Sequence, residues 1–125
     1  MDELTRVALL VEDEDSWTDL MGQMLGGGRY IVRKAENGRQ ALRIAREEKL
    51  AIAVVDLNLP DMFGLDLIRC LRELPGQESL PILVLTAYHR EEIRDLTLDP
   101  AQGFISKDQG LTAIRRELDK TASPQ

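Results

Sequence analysis

At 125 residues the chain is the size of one domain, and 43% apolar with 30% charged residues describe a globular protein able to bury a core. A formal net charge of −6 argues against a general phosphate-backbone binder, because nucleic-acid affinity rests on clustered Lys and Arg, so no direct nucleic-acid partner is expected. The longest apolar runs, Val7–Val11 and Ala51–Val55, are too short to span a bilayer and no charged-then-apolar leader precedes them, so no membrane partner and a cytoplasmic location are expected.

Short apolar, β-rich runs recur at Val7–Val11, Tyr30–Val32, Ala51–Val55, Ile82–Leu85 and Phe104–Ile105, with helical spacing between them. After the first run, Trp17, Leu20, Met21, Met24 and Leu25 fall on one helical face, and Gly26, Gly27 and Gly28 end that helix. Asn37 is placed to cap a second helix with Gln40 three residues on, and Ala41, Leu42 and Ala45 form its buried stripe. Gly64, Leu67, Ile68, Leu71 and Leu74 mark a third helix that stops at the Pro75-Gly76 turn signal. Cys70, the only cysteine, falls within it; it cannot form an intrachain disulfide or supply a cysteine cluster for zinc, and reads as a core or helix residue. A shorter fourth helix is predicted around Glu91–Leu98, cut off by Asp99-Pro100. A fifth helix turns Leu111, Ile114 and Leu118 inward. The domain is expected to span residues 1–120, followed by a tail or linker start over 121–125.

Strands that are continuously apolar rather than alternating are buried on both faces, as in a parallel sheet covered by helices. The predicted fold class is therefore a doubly wound α/β sheet of five strands. Ligands in such folds sit beyond the carboxyl ends of the strands. Four of the five predicted strands end in residues suited to phosphate or metal chemistry: Glu12-Asp13, Asp56, Thr86 and Lys107. Each alone has a bland reading, as a loop opener, a helix cap, a strand-end residue or a solvated lysine, and it is their joint placement on one rim that carries weight. Glu12, Asp13 and Asp56 together would repel one another, and a hard cation such as Mg²⁺ relieves that repulsion. Asp13 and Asp56 are the direct-ligand candidates, Glu12 could act through a water, and the backbone carbonyl of Asn58 could complete the set. Lys107 can offset the charge of an approaching phosphoryl group, and the Thr86 hydroxyl can bond one of its oxygens. Pro60 and Gly64 follow Asp56 by four and eight residues, as a rigid turn and a residue tolerant of unusual backbone angles. The chemistry this describes is phosphorylation of Asp56.

From Val7 to about Leu118 the chain resembles the receiver domain of two-component response regulators. VALLVEDE, VVDLNLPDMFG around Asp56, ILVLTA ending at Ala87, and GFISK ending at Lys107 carry the resemblance. It implies a flavodoxin-like strand order 2-1-3-4-5, Mg²⁺ as cofactor, Asp56 as phosphoacceptor, Glu12 and Asp13 as the acidic pair, and Thr86, Ala87 and Lys107 as phosphate contacts. It further implies a switch made of Thr86 and Phe104. Phe104 stands where many members carry Tyr and so lacks a phenolic hydrogen bond. Asn58 and Tyr88 occupy positions that tune phosphate lifetime in the family. Asp108 replaces a frequent proline, so a trans peptide is expected after Lys107. The donor implied is a sensor histidine kinase or histidine phosphotransfer protein docking near the first helix. Output is expected through a homodimer or a downstream effector on the fourth helix, fifth strand and fifth helix.

Two other readings compete. A phosphorylation-independent interaction module would keep the fold and dispense with the chemistry. A Mg²⁺-dependent phosphohydrolase also uses a strand-end Asp, but here Asn58 stands where such enzymes place an acid-base carboxylate, and no cap insertion is present. The chain is therefore expected to catalyse only its own phosphorylation and dephosphorylation. Trp17, on the apolar face near the acidic pair, reads as core or pocket edge with fluorescence that could sense Mg²⁺. His89 reads as a solvated loop residue.

Overall fold

The computed structural model describes residues 6–27, 30–87 and 103–122. In chain order they form β1 (Val7–Val11), α1 (Asp15–Gly27), β2 (Ile31–Ala35), α2 (Gly38–Glu47), β3 (Ile52–Asp56), α3 (Gly64–Arg72), β4 (Ile82–Thr86), β5 (Gly103–Ser106) and α4 (Leu111–Ala122). The strand order is β2-β1-β3-β4-β5, with every adjacent pair parallel. The helix predicted over Glu91–Leu98, and with it Tyr88 and His89, lies outside the described residues.

β1, β3, β4 and β5 are buried along their whole length because helices cover both faces of the sheet. One face packs Leu9, Val11, Val55 and Val84 against Ala41 and Ala45 of α2 and Leu67, Ile68 and Leu71 of α3. The other packs Leu10, Val54, Leu83 and Leu85 against Met21 and Leu25 of α1 and Ile114 and Leu118 of α4. Full burial of one such side chain contributes roughly 1.5–3 kcal/mol, so the two clusters hold the strand ends rigidly. No helix among the described residues is long and apolar enough to cross a membrane.

Two details depart from the sequence reading. β2 continues past Val32 through Arg33 and Lys34 to Ala35, pairing Arg33 with Leu9 and Lys34 with Leu10. It is an edge strand, where charged side chains reach solvent and the apolar run ends before the hydrogen-bond ladder does. Leu111 is 57% exposed rather than inward. It opens α4, and there it borders a groove with Leu20 and Met24 of α1 instead of meeting the sheet. Cys70 is on α3, as a helix residue, and faces solvent.

Asn37 caps α2 by accepting the Gln40 N–H at 2.8 Å, while the Gln40 side chain accepts from Glu36 N–H at 2.9 Å. The other end of α2 is closed by a residue distant in sequence. The buried Gln77 amide donates to the carbonyls of Ala45 and Glu48, each at 2.9 Å. α4 runs to Ala122, with Thr121 buried and its hydroxyl donated to the Glu117 carbonyl at 2.9 Å.

Candidate functional site

The chain leaves β1 for the sheet edge and returns to β3 on its other side, so the strand order reverses between β1 and β3 and opens a crevice at their carboxyl ends. Glu12 continues the β1 ladder for one more residue, its N–H donated to the Ala35 carbonyl at 3.0 Å. Its Oε2 accepts the Glu14 N–H at 3.1 Å, while Thr18 Oγ1 donates to its carbonyl at 3.3 Å. These bonds fold the Glu12 carboxylate inward, where it is 2% exposed. Asp13, the next residue, is exposed at the mouth of the crevice.

Asp56 is the last residue of β3 and 4% exposed. Its Oδ1 accepts the Asn58 N–H at 2.9 Å, which fixes the side chain and leaves Oδ2 facing the crevice. The loop that follows is closed by a bridge between Asn58 and Phe63 and by the Gly64 N–H on the Leu57 carbonyl at 2.8 Å. Gly64 has no positive φ. Glycine is needed there for close approach rather than for unusual backbone angles, because a Cβ would lie 2.5 Å from the Asp56 carbonyl oxygen and 2.6 Å from Leu57 Cα. Pro60 is exposed in the same loop. Asp61 ties that loop to α2, its two carboxylate oxygens accepting the N–H groups of Gly38 at 2.8 Å and Arg39 at 3.0 Å.

Thr86 closes β4 fully buried, and Ala87 beyond it is exposed. The Lys107 N–H donates to the Thr86 carbonyl at 2.7 Å, so the lysine leaves β5 with a fixed main chain. Among the described residues no peptide bond is cis. Asp108 instead ties the turn after β5, accepting the Ser106 hydroxyl at 2.6 Å. Phe104 is 7% exposed, packed in the cluster on the α2–α3 face.

The Lys107 ammonium meets three carboxylates: Glu14 Oε1 at 2.7 Å, Glu12 Oε1 at 3.0 Å and Asp56 Oδ2 at 3.1 Å. It also lies 5.3 Å from the centroid of the Trp17 ring. Burial disfavours the ammonium, but Glu14, Glu12 and Asp56 outweigh it and raise the Lys107 pKa, so the lysine stays charged. Burial pushes the Glu12 carboxyl up to about 7, with the Asp56 charge adding to the rise and Lys107 opposing it. Negative charge thus exceeds what one lysine offsets.

The donor set fits a hard divalent cation. Carboxylate oxygens of Glu12, Asp13 and Asp56 lie within 4.8 Å of one another. Oxygens on opposite sides of Mg²⁺ are roughly 4 Å apart, so these three need only a small closure, or a water on the longest arm. Glu12 Oε1 is the one buried side-chain nitrogen or oxygen among the described residues without a hydrogen-bond partner; its contact with Lys107 is close but not aligned for one. An orphaned carboxylate oxygen pointing into an acidic cluster is what a cation would satisfy.

The family model for the response regulator receiver domain matches residues 8–119. The chain belongs to this family. Its relatives include an uncharacterized 14.6 kDa protein of Leptolyngbya boryana, 41% identical over 78% of this chain and 76% of that protein. They also include the transcriptional regulatory protein YdfI of Bacillus subtilis, 30% identical over 89% of this chain and 46% of that protein. The chain thus spans less than half the length of YdfI, as it does of other curated proteins it matches. In structure it is similar to the receiver domain of sensor histidine kinase PA1611 of Pseudomonas aeruginosa, solved with a magnesium ion coordinated in the active site cleft. That likeness has 25% identity and a TM-score of 0.81, covering 94% of this chain and 98% of that one. The observed strand order and helix-covered sheet are those expected of a receiver domain.

Sequence reasoning missed Glu14, the nearest partner of Lys107, and Asp61, which anchors the loop after Asp56. For Glu14 the acidic run Glu12-Asp13-Glu14 was the available signal. For Asp61 there was none beyond its place in a turn, since its partners lie 22 and 23 residues away.

Proposed function

We propose that this receiver domain accepts a phosphoryl group from a phosphohistidine donor onto Asp56 and thereby switches a protein-binding surface. One observation carries the reading: the buried Asp56 carboxylate lies 3.1 Å from the Lys107 ammonium, within a cluster of Glu12 and Asp13 oxygens. A carboxylate oxygen of Asp56 attacks phosphorus, the P–N bond to the donor imidazole breaks with its electron pair going to nitrogen, and an acyl phosphate remains. The Asn58 N–H holds the nucleophile in place. Lys107 draws its ammonium to the phosphoryl oxygens, and the Thr86 hydroxyl and Ala87 contact them. Asp13, Asp56 and the Asn58 carbonyl would hold Mg²⁺, with Glu12 acting through a water, and the bound ion would supply positive charge for the approach of an anionic donor. Asn58 and Tyr88 set the phosphate lifetime, and Thr86 with Phe104 passes the change to the surface.

On this reading the protein is not a turnover enzyme and catalyses only its own phosphorylation and dephosphorylation. It works in the cytoplasm. Its donor is a sensor histidine kinase or histidine phosphotransfer protein docking near α1, and its output is a homodimer or downstream effector engaging the 91–98 segment, β5 and α4. A phosphorylation-independent module is not favoured, because nothing the chemistry needs is missing. Incubation with Mg²⁺ and a small phosphodonor should label wild-type protein once and leave Asp56→Asn unlabelled. A wild-type protein that stays unlabelled, or a label that survives the substitution, overturns the proposal.

A further inference from the structure

Resting on that reading, we infer that Glu14 is a positioning residue that, with the Trp17 ring, parks the Lys107 ammonium away from the incoming phosphoryl group and so restrains the phosphorylation rate of Asp56. Two of the ammonium's three N–H donors are taken by Glu14 and Asp56, and the Glu12 carboxylate stands 3.0 Å from it. Moving toward a phosphoryl oxygen draws the ammonium away from at least one of these carboxylates. Glu12 is a poor candidate to yield, since its side chain is fully buried and its Oε1 has no hydrogen-bond partner. Asp56 is the reacting group itself. Glu14 has a side chain 60% exposed, so water replaces Lys107 at little cost when the ammonium moves. At 2.7 Å it is nevertheless the nearest of the three.

The Lys107 side chain is only 9% exposed and lies against the Trp17 face, which favours the parked position by cation–π attraction. The main chain of Lys107 is pinned to Thr86, so the change of partner falls to the side chain alone. Glu14 is not among the three clustered carboxylates that could hold a cation. It acts through Lys107 and not as a ligand.

Glu14→Gln removes the charge that holds the ammonium while keeping the side chain's size. With Mg²⁺ saturating and a small phosphodonor, the rate of Asp56 phosphorylation should rise about two- to fivefold, the range that loss of one exposed ion pair allows. In metal-free protein the emission of Trp17, the only tryptophan, should shift as the ammonium leaves its face. Asp15→Asn removes an equal charge at the exposed start of α1 and should change neither reading. An unchanged or slower rate for Glu14→Gln overturns the inference, and so does an equal acceleration by Asp15→Asn, which would assign the effect to overall charge. Unchanged Trp17 emission in metal-free Glu14→Gln overturns it whether or not Asp56 is labelled. Absence of label on the wild type, with the emission shift present, instead removes the phosphoacceptor reading and leaves the parked lysine in place.

Discussion

Gly64→Ala gives a direct measure of how tightly the loop after Asp56 is built. The added Cβ would lie 2.5 Å from the Asp56 carbonyl oxygen, 2.6 Å from Leu57 Cα and 3.1 Å from the Asp56 carbonyl carbon, where ordinary contact begins at 3.4 Å. All three atoms belong to backbone, so no flexible side chain can give way. The start of α3 must retreat by nearly an ångström, which carries the 2.8 Å bond from Gly64 N–H to the Leu57 carbonyl beyond useful length. Overpacking at about 1–3 kcal/mol and loss of that bond at about 1 kcal/mol together predict a destabilisation of about 2–4 kcal/mol. For a domain of this size that lowers Tm by roughly 8–16 °C. Gly76 is the control. It has a φ of +88° with nothing within 4 Å of a Cβ, so alanine there meets only backbone strain, about 1–2 kcal/mol. Urea denaturation of both variants with unchanged slopes measures the two costs. A Gly64→Ala loss no larger than that of Gly76→Ala would refute the close-approach account and return Gly64 to the role of a flexible turn residue.

Other substitutions test the supports around the site. Asp61→Ala should cost about 0.5–2 kcal/mol, the usual loss for a side chain accepting N–H groups at a helix start. The Gly38 N–H holds the Asp61 carboxyl below its usual range, burial opposing and Arg39 N–H assisting, so its contribution is present above the ordinary carboxylate pKa and fades as pH falls through the lowered one. Wild type should therefore lose its advantage over Asp61→Ala as pH falls from the ordinary carboxylate range through the lowered pKa of Asp61, and a gap that stays constant across that acid limb would count against this bond. Gln77→Ala should cost about 2–3 kcal/mol, because the Ala45 and Glu48 carbonyls at the end of α2 lose their donors; a loss below about 0.5 kcal/mol in urea would mean that water replaces the amide. Asp13→Asn should stabilise the metal-free protein by about 1 kcal/mol by thinning the carboxylate cluster and should weaken any rise in Tm on adding Mg²⁺; an undiminished Mg²⁺ response would remove Asp13 from the ligand set.

The central strands were legible because they are buried on both faces, and an apolar run such as Val7–Val11 needs no partner's identity to be read as β. The positions of Asp56 and Thr86 were legible because each directly follows such a run, and that of Lys107 because it follows one after the single polar residue Ser106. The apolar run of β2 is shorter than the strand because an edge strand keeps its ladder where its side chains turn polar, at Arg33 and Lys34. Leu111 shares helical spacing with Ile114 and Leu118, yet spacing does not say where the sheet stops supporting a helix. The contacts between Lys107 and Glu14 and between Gln77 and Ala45 span 93 and 32 residues. Such pairings depend on how loops cross after the sheet has formed, and no local pattern encodes them. Gly64 shows the same limit in another form: its place in the loop was readable, but the backbone pressed against it was not.

If Asp56 is the residue that takes the phosphoryl group, the modification can be read at that residue itself. Protein treated with Mg²⁺ and a small phosphodonor can be reduced with borohydride, which converts an acyl-phosphorylated aspartate to homoserine and leaves free carboxylates untouched. Peptide mass analysis should find homoserine at position 56 and at no other aspartate, including the clustered Asp13. Intact aspartate at position 56, or homoserine at Asp13 instead, would contradict the account.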